Sequence, residues 1–220
     1  GSGDDMLFSD GGGVFSTATG GILDFAIIQE NPGDFSTINI ESLIQSRSIG
    51  LNGANGADHL ENNGPLRVEA FSEGMRDNVN LVGIDVIDFS SAMTVKATAT
   101  GLQGGNDINT FISTGEIAAV STARTLLSTT DVGIISASNG LGEISSNARS
   151  TGIQGGNAVD VITSSGGMDV RSAALLEQAD VAVSLGEAGN FSGEGVAQAT
   201  SFGINTGGGE DIVTLSGGEH

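Results

Sequence analysis

Cysteine, tryptophan and tyrosine are absent from this 220-residue chain, and proline occurs only twice. Without cysteine, no disulfide can brace the fold and no thiolate can ligate a metal. Without tryptophan or tyrosine, a broad aromatic platform for stacking sugars is not expected. Basic residues are scarce: 7 Lys and Arg stand against 27 Asp and Glu, for a net charge of −20. That balance argues against nucleic acid as a partner, because phosphates demand a basic surface, and against anionic membrane surfaces. No apolar run reaches the roughly 18 residues of a membrane span, so no membrane insertion is expected. The two histidines, His59 and His220, lie far apart in sequence. A zinc site needs more ligands than they supply, and His59 reads as a solvated turn residue. No supported Ser/His/Asp set appears, and Lys96 is the only lysine. The chain is therefore read as non-enzymatic. It is not read as disordered either, since 38% of its residues are apolar and evenly spread.

What the chain has is glycine, 36 residues of it, placed periodically. Residues 152–167 read GIQGGNAVDVITSSGG and residues 203–218 read GINTGGGEDIVTLSGG. Drifted copies occupy 101–116 and 50–65, and a truncated copy opens the chain at 1–12. The starts at Gly50, Gly101, Gly152 and Gly203 are separated by a constant step of 51 residues. Self-similarity at a fixed period marks an array in which each unit stacks on the next. The whole of 1–220 is accordingly read as a single repeat domain.

Between the phrases, aligned positions form columns. Ser46, Ala97, Ala148 and Ala199 share one column, and Ser48, Ala99, Ser150 and Ser201 share another. Leu51, Leu102, Ile153 and Ile204 follow, then Leu66, Ile117 and Met168, then Val68, Ala119 and Val170. Intervening residues such as Arg67, Glu69, Asp169 and Arg171 vary freely. Small or apolar residues on one parity, with anything on the other, are the period-2 signature of strands with one buried face. The expected fold is all-β: a parallel β-solenoid of four 51-residue repeats, with two sheets close together over a thin Ala/Ser core. A short helical turn at AALLEQAD, residues 173–180, is the one local alternative. A half-echo between GEIAAVSTAR (115–124) and GEISSNAR (142–149) points to two rungs per repeat. The alternative is one large oblong rung per repeat.

The two outer phrases carry the pattern G-x-G-x-D-x-aliphatic: Gly1-Ser2-Gly3-Asp4-Asp5-Met6-Leu7 and Gly207-Gly208-Gly209-Glu210-Asp211-Ile212-Val213. This resembles the nonapeptide of the RTX, or haemolysin-type, calcium-binding β-roll family. The resemblance covers about a quarter of the chain. It departs from the family in the middle copies, where Ala54, Asp107, Asn109 and Ala158 replace motif residues, and in the isolation of each motif from the next. Carried over position by position, it implies calcium as a possible cofactor, held by oxygens at Gly3, Asp5, Asp58, Asn109, Asp160, Gly209 and Asp211. Hard oxygen donors suit that ion. The alternative is that these residues only make a tight turn, with the carboxylate bonding backbone amides.

The units also resemble the long degenerate repeats of bacterial adhesins and exoproteins. That resemblance implies an extracellular or cell-surface location and a structural role, as a stiff segment that stacks head-to-tail on copies of itself or on neighbouring repeats. The alternatives are a calcium-binding folding or secretion module of a larger exoprotein and, third, a β-helix enzyme acting on polysaccharide. The last is favoured only where a groove gathers Asp or Glu together with Arg.

Overall fold

The computed structural model describes residues 3–9, 14–29, 37–82, 86–133, 137–140, 143–184 and 194–217. Residues 1–2 and 10–12 of the opening turn copy, Gly218 of the closing one, and His220 lie outside that set.

The alternation seen in sequence is realised as strand throughout. The elements are β1 (Met6–Ser9), β2 (Val14–Gln29), β3 (Thr37–Asn52), β4 (His59–Asn62), β5 (Leu66–Val82), β6 (Val86–Gln103), β7 (Thr110–Ser113), β8 (Ile117–Gly133), β9 (Ala137–Gly140), β10 (Ile144–Gly156), β11 (Val161–Ser164), β12 (Met168–Ser184), β13 (Gly195–Gly207) and β14 (Ile212–Leu215). No helix occurs among the described residues. The segment 173–180, for which a helical turn was the alternative, lies inside β12. Its backbone pairs residue by residue with β8, and that ladder overrides the helical preference of Ala and Leu, since local propensity yields to tertiary context.

Three parallel sheets result. Short strands stack in the order β1-β4-β7-β11-β14; long ones stack as β2-β5-β8-β12 and as β3-β6-β10-β13, with β9 beside β6. The register follows the repeat. Leu66 pairs with Ile117, and Ile117 with Met168; Ser46 pairs with Ala97, Ala97 with Ala148, and Ala148 with Ala199. Partners along each stack are 51 residues apart. In the first layer the step is 53 at the opening turn and one less at β2, where Val14 meets Leu66.

The expectation of two rungs per repeat is therefore corrected, because one 51-residue repeat closes one rung. The half-echo has another cause. Its residues 117–124 and 144–149 lie in β8 and β10, which face each other across the same thin core. Ser150 Oγ meets Ser121 Oγ at 2.8 Å, and Ser146 Oγ donates to the Ala123 carbonyl at 2.8 Å. Both strands must present small residues at the same crowded place, so their sequences converge.

The core is zoned. Where the long sheets approach most closely, alanines and serines fill it: Ala97, Ala99, Ala119, Ala123 and Ala148 are buried beside Ser46, Ser72, Ser121 and Ser150. The serines satisfy their hydroxyls across the gap. Ser46 and Ser72 lie 2.6 Å apart, Ser72 donates to the Lys96 carbonyl at 2.6 Å, and Ser150 donates to the Arg171 carbonyl at 2.6 Å. Buried hydroxyls demand such partners. At the wider end, closed by the short sheet, Leu60, Phe111 and Ile162 pack with Leu102, Ile153 and Ile117.

Candidate functional site

The turns that precede the short strands bring most of the predicted ligands into one column. Asp5, Asp58, Asn109, Asp160 and Asp211 stand above one another, and the side chains of Asp58, Asn109, Asp160 and Asp211 are used in the same way. The Asp5 amide donates to Asp58 Oδ1 at 2.8 Å, and the Asp58 amide to Asn109 Oδ1 at 3.1 Å. The Asn109 amide donates to Asp160 Oδ1 at 2.9 Å, and the Asp160 amide to Asp211 Oδ1 at 2.8 Å. In the opposite direction, the backbone amides of His59, Thr110, Val161 and Ile212 donate to the carbonyls of Asp5, Asp58, Asn109 and Asp160 at 2.8–2.9 Å. The side-chain oxygen supplies the acceptor that the backbone ladder lacks where the chain turns.

Room for this column comes from a glycine five residues earlier. A Cβ on Gly53 would lie 2.3 Å from Asp58 Oδ2, one on Gly155 2.5 Å from Asp160 Oδ2, and one on Gly104 2.6 Å from Asn109 Nδ2. Asp58, Asn109 and Asp160 are buried as a result. A second glycine column allows successive turns to touch: a Cβ on Gly105 would fall 1.6 Å from the Ala54 carbonyl oxygen, and one on Gly156 1.7 Å from that of Gly105. Gly209 and Gly56 adopt φ of 121° and 120°, in the left-handed range that disfavours other residues. Gly3, in the same column, donates its amide to the Asn55 carbonyl at 3.0 Å.

Asn109, a departure from the RTX pattern, has a role in this column. Column neighbours are about 4.8 Å apart, and carboxylates at that spacing repel. Asn109 separates the Asp5–Asp58 pair from the Asp160–Asp211 pair, and its Nδ2 donates to Asp160 Oδ1 at 3.2 Å.

As for calcium, the donors are of the right kind, and most of them are engaged. Asp160 Oδ2 accepts the Gly156 amide at 2.8 Å. Asp58 Oδ2 is buried without a hydrogen-bond partner, which makes the Asp5–Asp58 end of the column the better fit. Among the described residues, no group of three or more His, Cys, Asp or Glu side chains converges in a metal-binding arrangement.

His59 is partly covered rather than freely solvated. Its ring lies 6.0 Å from that of Phe8, and its Nε2 is 3.4 Å from Glu61 Oε2. Glu61 is held below the ordinary carboxylate range, first by a hydrogen bond from Asn63 and then by His59.

A second feature was not anticipated from the sequence. On the outer face of β3, β6 and β10 a polar groove of about 800 Å³ runs across successive rungs. Its lining includes Arg47, Arg149, Gln103, Gln154, Thr100 and Thr151, and holds no carboxylate among the described residues. Along this face successive strands approach closely at a column of glycines. A Cβ on Gly50 would meet the Gly101 carbonyl oxygen at 2.6 Å, and one on Gly101 or Gly152 would meet the next carbonyl at 2.5 Å. The signal was present in sequence, since the polar column Asn52, Gln103, Gln154, Asn205 directly follows the Leu/Ile column, but nothing in a single sequence tells a concave face from a flat one.

Comparison of the chain with known family models, with curated proteins and with solved structures returns no match.

Proposed function

We propose that the chain is a structural segment of an extracellular adhesin or surface filament: a stiff, acidic β-solenoid that extends by stacking further rungs and takes up calcium at its Asp-containing turns. The observation that supports this reading is the in-register parallel stacking in all three sheets, at a step of 51 residues in every layer beyond the first. Such an array has no preferred stopping point. In the outermost described layers, β1, β2 and β3 on one side and β12, β13 and β14 on the other, each strand has a parallel neighbour on one edge only. Those layers also carry exposed Met6, Phe8, Val196 and Ile212. Unpaired strand edges of this length template further strands. A rung from a neighbouring repeat, or from a second copy placed head-to-tail, would continue every ladder.

Calcium belongs, in this reading, at the Asp5–Asp58 end of the turn column, where the buried Asp58 Oδ2 has no hydrogen-bond partner. The same oxygen favours a second reading, a calcium-dependent folding module of a larger exoprotein. Light scattering of the purified chain in calcium and in EGTA, with a calorimetric calcium titration, tests both. The structural reading expects particles larger than one chain that grow with concentration, and a calcium heat that Asp58→Asn removes. A monomer under both conditions would overturn head-to-tail self-stacking, and no calcium heat at millimolar ion would remove the metal. Loss of β-sheet circular dichroism in EGTA would favour the folding module.

A further inference from the structure

The groove on the β3–β6–β10 face stands out against the charge of the molecule. The chain carries −20 overall, yet the described lining of the groove holds Arg47 and Arg149 and no Asp or Glu. Lys96 joins Arg149 in a smaller hollow of about 280 Å³ alongside, together with Gln198, Thr200 and Phe202. Other outward arginines are neutralised where they stand: Arg67 pairs with Glu69, Arg124 with Glu73 at 3.2 Å, and Arg171 with Asp169 at 2.6 Å. Arg47 and Arg149 are held differently. Arg47 donates to Gln103 Oε1 at 2.9 Å, and the Arg149 guanidinium lies 5.3 Å from the centre of the Phe202 ring. Both keep their charge uncompensated by a carboxylate among the described residues.

Around them the groove offers neutral hydrogen-bonding groups repeated at every rung. Asn52, Gln103, Gln154 and Asn205 form one column, in which Asn205 Nδ2 donates to Gln154 Oε1 at 3.1 Å. Thr98, half-buried, lies between the two arginines, and Thr100 and Thr151 are buried at the base of the groove. Asn106 and Asn157 form a further rung-to-rung bond at 3.1 Å on the turn side. Amides and hydroxyls are the groups that exchange hydrogen bonds with a polyhydroxylated chain, and guanidinium forks match carboxylates.

The spacing narrows the ligand further. Successive rungs are about 4.8 Å apart, close to the length of one pyranose ring with its glycosidic oxygen. Arg47 and Arg149 share a column with Thr98 between them, so the two guanidiniums stand two rungs apart, roughly 10 Å, while Lys96 on the intervening rung lies to the side, in the neighbouring hollow. We propose that this groove binds an acidic polysaccharide laid along the stacking axis, one in which every second sugar is a uronate, with Arg47 and Arg149 taking the carboxylates and the Gln/Asn columns taking the hydroxyls. Nucleic acid is a poor competitor, because two guanidiniums on a strongly acidic body cannot offset its charge density. The proposal deepens the adhesin reading by naming what would be adhered to, and it does not depend on end-to-end assembly.

The test is titration calorimetry at low salt with a hyaluronan oligosaccharide, in which uronate alternates with an uncharged sugar; a neutral dextran oligosaccharide and inorganic polyphosphate serve as comparisons. It is run at a protein concentration where light scattering reports a single species, so that failure of assembly and failure of binding are read separately. The expected result is hyaluronan binding that weakens with salt, no binding of dextran, and a loss of about tenfold for each of Arg47→Gln and Arg149→Gln. Arg171→Gln, on the opposite sheet, leaves the affinity unchanged. Unaltered melting temperatures confirm that these surface variants fold. Absence of hyaluronan binding overturns the proposal, as does equal loss from Arg171→Gln, or polyphosphate binding as tightly as hyaluronan.

Discussion

At the residue scale, the fold depends on positions where a side chain has no space and on positions where a side-chain oxygen replaces a backbone one. Gly105 is of the first kind. A methyl group there would overlap the Ala54 carbonyl oxygen, so Gly105→Ala must push two turns apart. We expect a loss of about 1–3 kcal/mol in chemical denaturation, against about 0.5–1 kcal/mol for Ala118→Gly on the outer face of β8. Asn109 is of the second kind. Asn109→Asp keeps the acceptor for the Asp58 amide but removes the donor to Asp160 and makes an unbroken run of carboxylates. We expect about 1–3 kcal/mol of destabilisation at neutral pH, measured as a fall in the denaturant midpoint. Glu61 gives an independent check. Its pKa is depressed, chiefly by Asn63 and then by His59, so its contribution to stability is present above the unfolded-state pKa and is lost as pH falls through the folded value. Carboxyl NMR titration of Asn63→Ala is expected to return Glu61 towards the ordinary value; an unmoved titration would assign the depression to another cause.

At the element scale, the long strands were legible and their arrangement was only half so. The columns Ala97–Ala148–Ala199 and Leu66–Ile117–Met168 were readable because parallel in-register stacking forces like side chains onto like. The rung size was misread because β8 and β10 meet the same steric demand from opposite sides of the core, and period-2 alternation carries no information on which sheet a strand joins. The turn column was legible as residue types, but its use of side-chain oxygens to complete the amide ladder was not. That pattern depends on Gly53, Gly104 and Gly155 making room, a pairing that becomes visible only once the chain is folded back on itself. The thin core predicts sharp intolerance to volume. Ala97→Leu, at a buried position in the closest part of the interface, is expected to cost about 1–3 kcal/mol by overpacking. Ser72→Ala removes hydroxyl bonds to Ser46 and to the Lys96 carbonyl and is expected to cost about 1–2 kcal/mol; denaturant midpoints separate the two effects.

At the scale of the whole molecule, a single claim governs the rest: one 51-residue repeat makes one rung, and successive repeats lie directly on top of one another. The height of the stack, the spacing of the carboxylate column, the separation of Arg47 from Arg149 and the open strand edges all follow from it. Five short strands in parallel give a stack on the order of 20 Å tall, half of what two rungs per repeat would give. Because the chain has no cysteine, engineered disulfides read this geometry without background. Thr94 and Ser145 are outward column neighbours whose hydroxyls lie 3.2 Å apart, within reach of a disulfide between adjacent parallel strands. Ala118 and Ser145 occupy equivalent places in the half-echo and would be neighbours only if each repeat made two rungs. The decisive measurement is oxidative cross-linking of Thr94→Cys/Ser145→Cys beside Ala118→Cys/Ser145→Cys, read by mass spectrometry of the monomer: the first pair is predicted to form an intramolecular disulfide and the second to remain reduced, and the reverse outcome would contradict the account.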